Sequence, residues 1–230
     1  MRLSVILPVY SEEESVIHIV DRLEKLVGKK LYEIILIVSP KSNAKSIAIC
    51  KDISKARNEV KFFFQKENPG LGRAVREGLQ YVSGTHVLMM DSDGEMSPDT
   101  VPKLITKMEQ TGCDMVVGSR WMKGGGVAGY DPIKYCLNRV FQILFKVIFF
   151  TRIHDLTLGF KLVKRKIIDD LRFRSNFHDI AIETTIMPIK HGYRVEEVPV
   201  VWRSRNKGVS KNKMSANLRY LVRALSVRVH

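Results

Sequence analysis

Short apolar runs alternate with amphipathic stretches along the first half of the chain. The apolar runs predict five strands, at residues 2–10, 32–38, 60–65, 86–90 and 113–119. The stretches between them predict helices at residues 12–27, 45–57, 68–82 and 97–110, and Ser11 is placed to cap the first one. Strands and helices that alternate in this way are typical of an α/β protein, with a mostly parallel sheet and helices on both faces.

The pattern changes after Arg120, where the glycine-rich segment 123–126 predicts a loop. Beyond it the sequence predicts a long helix, a short strand, a second helix and a last strand, at residues 133–150, 158–163, 180–190 and 195–202. The chain contains no internal repeat and no low-complexity linker. We therefore expect one domain over residues 1–230, in which residues 121–230 wrap onto residues 1–120.

The composition agrees with a globular chain. Of its 230 residues, 45% are hydrophobic, which indicates a packed core. Three cysteines lie far apart with no Cys-x-x-Cys pair, which argues against a disulfide framework or structural zinc and suggests a reducing compartment. The N-terminal apolar run has no cleavage-type segment after it, so it predicts a strand and not a signal peptide. No apolar stretch reaches the roughly 20 residues that span a bilayer.

The net charge of the chain limits the classes of molecule that it is expected to bind. The net charge is +14, and residues 201–230 contain basic side chains but no Asp or Glu. Such a segment suits nucleic acid, a lipid surface or a phosphorylated substrate. Residues 218–225, LRYLVRAL, interleave apolar side chains with arginines, which is typical of a helix at a membrane interface; a solvated basic face is the alternative. Residues 140–150 likewise predict either a core helix or an interfacial one.

Polar residues follow each of the five predicted strands. They are Tyr10, Ser11, Glu12, Ser39, Lys66, Glu67, Asn68, Asp91, Asp93 and Arg120. Because open parallel sheets bind ligands beyond the carboxyl ends of their strands, we expect these side chains to converge on one edge. Asp91 and Asp93 should point to the same side of an extended segment, with Ser92 opposite, and paired carboxylates suit Mg²⁺ or Mn²⁺. A plain acidic turn is the alternative. Gly70 and Gly72 before a helix either suit a phosphate at its N-terminus or only shape a turn.

Several segments, taken in order, resemble the motifs of family 2 glycosyltransferases, most closely the dolichol-phosphate mannose synthase branch. They are PVYSEEES (8–15), NPGLGRAVREG (68–78), MMDSDGEMSPD (89–99), VVGSRW (116–121), DLTLGFKLV (155–163), GYRVEEVPVVW (192–202) and RNKGVSK (205–211). The resemblance extends over nearly the whole chain. It implies a GT-A fold, a nucleotide-sugar donor, a divalent metal ion and inversion at the sugar carbon.

The resemblance also implies roles for individual residues. The nucleotide would be held by Pro8, Tyr10, Glu12, Ser39, Gly72, Asp91, Ser92 and Lys211. The metal ion, Mg²⁺ or Mn²⁺, would be held by Asp91, Asp93 and Glu95, and Asp93 would be catalytic. The acceptor phosphate would be bound by Arg120, Lys134 and Arg205, with Arg120 also catalytic.

Two positions depart from the family pattern. Ser39 and Pro40 stand where the family's second strand ends in two aspartates, which leaves the base and sugar of the donor open. Glu95 stands where this branch has glutamine. A chain that binds nucleotide without catalysis is therefore one alternative.

The function implied is transfer of a hexose to a polyprenyl or dolichyl phosphate, with GDP-mannose favoured as the donor. A phosphate acceptor is already anionic and needs no general base. The alternative, a UDP-sugar donor with a saccharide hydroxyl acceptor, would need one; Glu183 is its catalytic candidate, or else a helix acid paired with a neighbouring cation. A basic nucleic-acid-binding protein is a distant alternative, since the sequence has no stacking motif or recognition helix.

The implied function also predicts the ligands and the location of the protein. We expect a nucleotide sugar and a polyprenyl phosphate lipid as ligands, and no nucleic acid. We expect a cytoplasmic protein that associates peripherally with a membrane surface, either alone or through a small membrane anchor protein.

Overall fold

The fold is built on a main sheet of seven strands, and the apolar runs of its central strands are buried. The computed structural model describes residues 1–66, 70–204 and 223. The strands of its main sheet are β1 (Leu3–Val9), β2 (Leu31–Val38), β3 (Val60–Phe64), β4 (His86–Met89), β5 (Met115–Ser119), β7 (Lys161–Lys164) and β8 (Val195–Pro199). Their order across the sheet is β3-β2-β1-β4-β7-β5-β8. A continuous apolar run such as Ile34–Val38 follows from burial on both faces of the sheet.

One strand runs against the others. β7 pairs antiparallel with both β4 and β5, whereas the other pairings of the main sheet are parallel. Lys161, its first residue, therefore lies beside Met89 of β4 and Val117 of β5, close to the carboxyl ends of those strands. The sheet is mostly parallel, as predicted, and it contains strands from both halves of the chain.

Helices cover both faces of the sheet, as the alternating pattern predicted. They are α1 (Glu14–Val27), α2 (Ala44–Ala56), α3 (Leu71–Tyr81), α4 (Val101–Thr111), α5 (Pro132–Ile148), α6 (Arg165–Asp170) and α7 (Ile180–Lys190). Helices α1, α2 and α4 contribute to one buried apolar cluster, while α3, α6 and α7 contribute to the cluster on the opposite face. A smaller third cluster, centred on Phe145, joins α5 to α7.

The predicted cap of the first helix is wrong. The residue at the N-cap position of α1 is Glu13, and no side chain caps the helix there. Ser11 lies further upstream in a left-handed conformation, with φ of 68°. Its hydroxyl accepts a hydrogen bond from Asn43 N (3.0 Å), so it ties the end of β1 to the start of α2 instead.

The last predicted strand is divided in two. β8 ends at Pro199, and β9 (Val201–Arg203) leaves the main sheet to pair with β6 (Gly126–Ala128). The break lies at Val200, whose N–H donates to Ser119 O (3.0 Å) and whose carbonyl accepts from Gly126 N (3.0 Å). Part of the predicted loop 123–126 is thus the start of a strand, and the short helix α6 is absent from the sequence prediction.

Some predictions fall outside the described part of the chain. Arg205 and Lys211 lie there, as do Glu67 and Asn68 and all of residues 218–225 except Arg223. Among the helices within residues 1–66 and 70–204, none is long and apolar enough to cross a membrane.

Candidate active site at the sheet edge

The carboxyl ends of β1 and β4 are joined by a buried serine. The hydroxyl of Ser92 donates to the carbonyl of Pro8 (2.5 Å) and lies 3.5 Å from Glu12 Oε2. The Glu12 carboxylate also accepts a hydrogen bond from Tyr10 N. Ser92 is buried while Asp91 and Asp93 are half-buried, a burial pattern compatible with the alternation predicted for this segment. These contacts bring together four of the residues assigned to the nucleotide site.

Ser39 lies in the turn that follows β2. It is 3% exposed, and its hydroxyl accepts from Lys41 N (3.2 Å). Its N–H donates to Val9 O (3.0 Å), which joins the ends of β1 and β2. A buried serine with a neutral hydroxyl therefore stands where the family pattern has an aspartate.

Asp91 and Asp93 form an acidic turn at the end of β4. Asp93 Oδ1 accepts from Glu95 N (3.0 Å), and Gly94 between them has φ of +78°, which a glycine adopts without strain. The carboxylate of Glu95 is engaged elsewhere, because its Oε2 accepts from Trp202 Nε1 (2.9 Å). The turn and the presentation of two carboxylates are thus compatible, and Glu95 braces the turn against β9.

The donor set fits a hard divalent ion with two protein ligands. Such an ion binds one or two carboxylates and completes its shell with water and substrate phosphate oxygens. Two half-buried carboxylates at a strand end match that chemistry. Within the described residues, no three Asp, Glu, His or Cys side chains are grouped to hold a metal ion. The metal-binding roles of Asp91, Asp93 and Glu95 stay predictions.

Arg120, at the end of β5, is held by a buried carboxylate. Its Nε and Nη2 donate to Asp155 Oδ2 (2.7 Å) and Oδ1 (2.9 Å), and its backbone N–H also donates to Oδ2 (3.1 Å). Asp155 is fully buried and Arg120 is 7% exposed. Gln142 and Arg120 both donate to Thr157 Oγ1, at 2.7 Å and 3.0 Å. The guanidinium is thus held by Asp155 and Thr157 through three hydrogen bonds.

A cavity of about 370 Å³ opens beside Arg120. It is lined by Arg120, Trp121, Met122, Gly125, Gly126, Val127, Tyr135 and Arg139. The guanidinium carbons of Arg120 and Arg139 lie 5.5 Å and 5.2 Å from the centre of the Trp121 ring. The indole Nε1 of Trp121 is buried and makes no hydrogen bond to any described residue. Two guanidinium groups at one cavity are suited to an anion.

Sequence reasoning missed three of these residues. Tyr135 and Arg139 are four positions apart on α5 and so share one helix face, a spacing that could have been noticed. Trp121 directly follows the GSR motif. Lys134, the residue predicted instead, is exposed in the first turn of α5 and does not line the cavity. Its role at the acceptor phosphate stays a prediction.

Glu183 is buried in the first turn of α7. Its carboxylate accepts from Arg174 N (2.9 Å and 3.1 Å) and Ser175 N (2.7 Å). The guanidinium of Arg223 lies 3.0 Å from Glu183 Oε1. These contacts hold the loop at residues 174–177, and they account for a buried acid without a proton-transfer role.

The same loop covers the N-terminus of α3. A methyl group added to Gly72 would lie 2.4 Å from the carbonyl oxygen of Ser175, and the N–H of Arg73 donates to Asn176 O (3.2 Å). Gly72 is therefore required for close packing of two backbone segments. Its predicted contact with a nucleotide phosphate is not tested by this arrangement.

The comparison with protein families agrees with this geometry. Residues 4–172 match the model of glycosyl transferase family 2. The chain belongs to glycosyl transferase family 2. Among curated proteins, this family member is 28% identical over 225 residues to a dolichol-phosphate mannosyltransferase of Pyrococcus furiosus; the match includes 96% of this chain and 62% of that protein. It is also 28% identical to a polyprenol monophosphomannose synthase of Mycolicibacterium smegmatis, over 91% of this chain and 80% of the relative.

Solved structures confirm the GT-A fold of this family 2 glycosyltransferase. Glucosyl-3-phosphoglycerate synthase from Mycobacterium tuberculosis, solved with Mn²⁺, UDP and glucosyl-3-phosphoglycerate, matches with a TM-score of 0.73. The match spans 98% of this chain and 79% of that one at 18% identity, so it speaks to the fold alone. A second structure of the same protein contains Mg²⁺ and UDP.

Proposed function

We propose that this chain is an inverting glycosyltransferase that transfers a hexose from a nucleotide sugar to a polyprenyl phosphate, with GDP-mannose favoured. The observation that carries the proposal is the cavity at Trp121, which is lined by the two arginines Arg120 and Arg139. Arginine binds phosphate through charge-assisted and often bidentate hydrogen bonds. The names of the two curated relatives support the same acceptor class.

The donor would lie at the ends of β1, β2 and β4. The proposed nucleotide contacts are Pro8, Tyr10, Glu12, Ser39, Gly72, Asp91, Ser92 and Lys211. Asp91 and Asp93 would hold Mg²⁺ or Mn²⁺, and that ion would supply positive charge to the departing diphosphate. Asp93 is thereby proposed as catalytic, while Glu95 positions the turn through Trp202.

The acceptor phosphate would be oriented by cations and would attack without a general base. Arg120, held by Asp155, and Arg139, held against Trp121, are the proposed contacts. Lys134 and Arg205 are proposed as further contacts of the acceptor phosphate. A phosphate oxygen is ionised at neutral pH, so the task of the protein is orientation and not proton removal.

A hydroxyl acceptor is the second candidate, and it would depend on Glu183 as a base. Against it, that carboxylate accepts hydrogen bonds from Arg174 N and Ser175 N and pairs with Arg223. A base so engaged would have to break its contacts before it could take a proton. We therefore favour the phosphate acceptor, and Glu183→Gln should retain most of the transfer activity of a correctly folded protein.

The membrane surface is the proposed location of the acceptor. Helix α5 exposes Val140, Leu144 and Val147 along one face, and Phe150 just beyond its end is 89% exposed. Lys146 and Arg152 flank these residues. An apolar stripe edged by basic residues suits the interface of an anionic bilayer. It lies on the helix that also supplies Tyr135 and Arg139 to the cavity, so a docked lipid would bring its phosphate close to the arginines.

Two measurements test the proposal. In a thermal-shift assay with Mn²⁺, GDP-mannose should stabilise the protein more than UDP-glucose does, and the gain should vanish with chelator. In a transfer assay with polyprenyl phosphate, Arg139→Ala should raise the acceptor KM by about tenfold to a hundredfold, the value of a charged hydrogen bond. Arg165→Ala, at the start of α6, is the control and should leave KM unchanged.

The membrane contact is tested separately by sedimentation with vesicles of phosphatidylglycerol and phosphatidylcholine. Val140→Asp with Val147→Asp should reduce binding, whereas Ile17→Asp on α1 should not. Binding that is equally weak for all variants would favour a membrane anchor protein. Transfer to a sugar hydroxyl, and none to polyprenyl phosphate, would refute the acceptor assignment.

A further inference from the structure

A fully buried lysine lies between the two halves of the candidate site. Lys161 opens β7, and its neighbours across the sheet are Met89, two residues before Asp91, and Val117, three residues before Arg120. Its side chain has no exposed surface. Lysine is among the residues that are almost never fully buried without a partner, so groups that hold its ammonium are expected nearby.

The ammonium group is held by helix α7. Nζ donates to Ala181 O (2.8 Å), Thr184 Oγ1 (2.8 Å) and Thr185 Oγ1 (2.6 Å). Both threonine hydroxyls donate their own protons to helix carbonyls, of Ile180 (2.7 Å) and Ala181 (2.9 Å). Their lone pairs are thereby turned toward the lysine, which makes a cradle for a group that only donates.

The charge of Lys161 is offset by carboxylates of the site and not by its hydrogen-bond partners. Burial lowers the pKa of Lys161 to about 7, and the negative charges of Asp155 and Asp91 act in the opposite direction. Asp155 is the partner of Arg120, and Asp91 is the first aspartate of the acidic turn. Asp91 lies next to the start of β7, since a methyl group on Gly159 would be 3.8 Å from its Oδ2.

We infer that Lys161 is a positioning residue whose buried positive charge is shared by Asp91 on the donor side and Asp155 on the acceptor side. This inference rests on the proposed function. The positive charge of Lys161 weakens the binding of a metal ion at Asp91. It also offsets part of the negative charge of Asp155, which would otherwise reduce the positive charge that Arg120 offers to a ligand. Lys161 therefore sets the balance between metal affinity and acceptor-phosphate affinity.

The two effects have opposite signs, which separates them from simple damage to the fold. Without the charge of Lys161, Asp91 attracts a divalent cation more strongly. At the same time Asp155 offsets more of the charge of Arg120, so an anionic acceptor binds more weakly. A variant with only loosened packing would weaken both ligands.

The test compares Lys161→Met and Lys161→Gln with the wild type at about pH 6, where the ammonium of the wild type is protonated. Binding of Mn²⁺ in the presence of GDP is followed by electron paramagnetic resonance, and acceptor KM is measured with polyprenyl phosphate. We expect both variants to bind Mn²⁺ about threefold or more tightly and to show a higher acceptor KM. Lys161→Gln keeps donors for the α7 cradle, so it reports on charge if Lys161→Met fails to fold.

Lys164→Met is the matched control, because Lys164 lies at the other end of β7 and pairs with Asp114 (2.9 Å). It should leave both affinities unchanged. Mn²⁺ affinity that is unchanged or weaker in both Lys161 variants would overturn the inference while the proposed function stands. A wild type that binds no Mn²⁺ with GDP would overturn the metal assignment and this inference together.

Discussion

Loss of the Asp155 carboxylate should destabilise the whole protein more than any exposed ion pair can. Asp155 is completely buried and accepts three hydrogen bonds from Arg120, two of them from the guanidinium. Asp155→Ala would leave that guanidinium nearly buried and without its counter-charge. Removal of one partner of a buried ion pair costs about 3–5 kcal/mol.

This free energy corresponds to a measurable shift in melting temperature. For a chain of this size, each kcal/mol lowers Tm by about 2–4 °C, so Asp155→Ala should lower it by about 6–20 °C. Urea unfolding followed by circular dichroism would give the free energy directly. Asp155→Asn should be milder, because its amide oxygen can still accept from one N–H of Arg120.

The control is Asp169→Ala. Asp169 pairs with Arg165 four residues earlier on α6, at 2.9 Å, but its side chain is 55% exposed. Exposed pairs of this kind contribute at most about 1 kcal/mol. Equal losses of stability in Asp155→Ala and Asp169→Ala would refute the view that the buried Arg120 needs the counter-charge of Asp155.

Three further predictions concern packing, thiol reactivity and pH. Gly72→Ala should destabilise the protein by about 1–3 kcal/mol in urea unfolding, because its methyl would meet the carbonyl of Ser175 at 2.4 Å. In the native protein, iodoacetamide should label the exposed Cys136 before the buried Cys50, and mass spectrometry would show the order. Burial raises the pKa of Cys50 to about 12, so this thiol is hardly ionised and reacts slowly. Burial lowers the pKa of Lys161 to about 7, so the unfolded chain binds more protons above that pH. The free energy of unfolding should therefore increase as the pH rises from about 7 to about 10, and Lys161→Met should remove this increase.

The sequence predicted the parallel part of the fold because its central strands, such as β1 and β2, are buried on both faces and so appear as apolar runs. The order of strands within the sheet has no such local signal. Nothing in the segment 158–163 shows that β7 enters between β4 and β5 in the opposite direction. The division of the last strand is equally hidden, because the break at Val200 depends on contacts with Ser119 and Gly126.

The candidate site was predicted only where its residues leave a local signal in the sequence. Asp91 and Asp93 were found because two acids directly after an apolar run are locally unusual. Lys161 was missed because a lysine in LGFKLV looks like an exposed strand position, and its burial depends on oxygens of α7. Asp155 could be suspected only weakly, since its partner Arg120 is 35 residues away in sequence.

The direction of β7 explains how the two halves of the site are joined. In a parallel strand, the chain would enter from the far edge of the sheet and reach the ligand edge only after the strand ended. An antiparallel strand enters from the ligand edge, so the residues just before it, including Asp155 and Thr157, lie there between the ends of β4 and β5. Its first residue, Lys161, then carries a positive charge inward beneath the same edge. The reversed strand and the segment that leads into it thus supply a buried cation beside β4 and the counter-charge of Arg120, and this is why the donor and acceptor halves should respond together to one substitution.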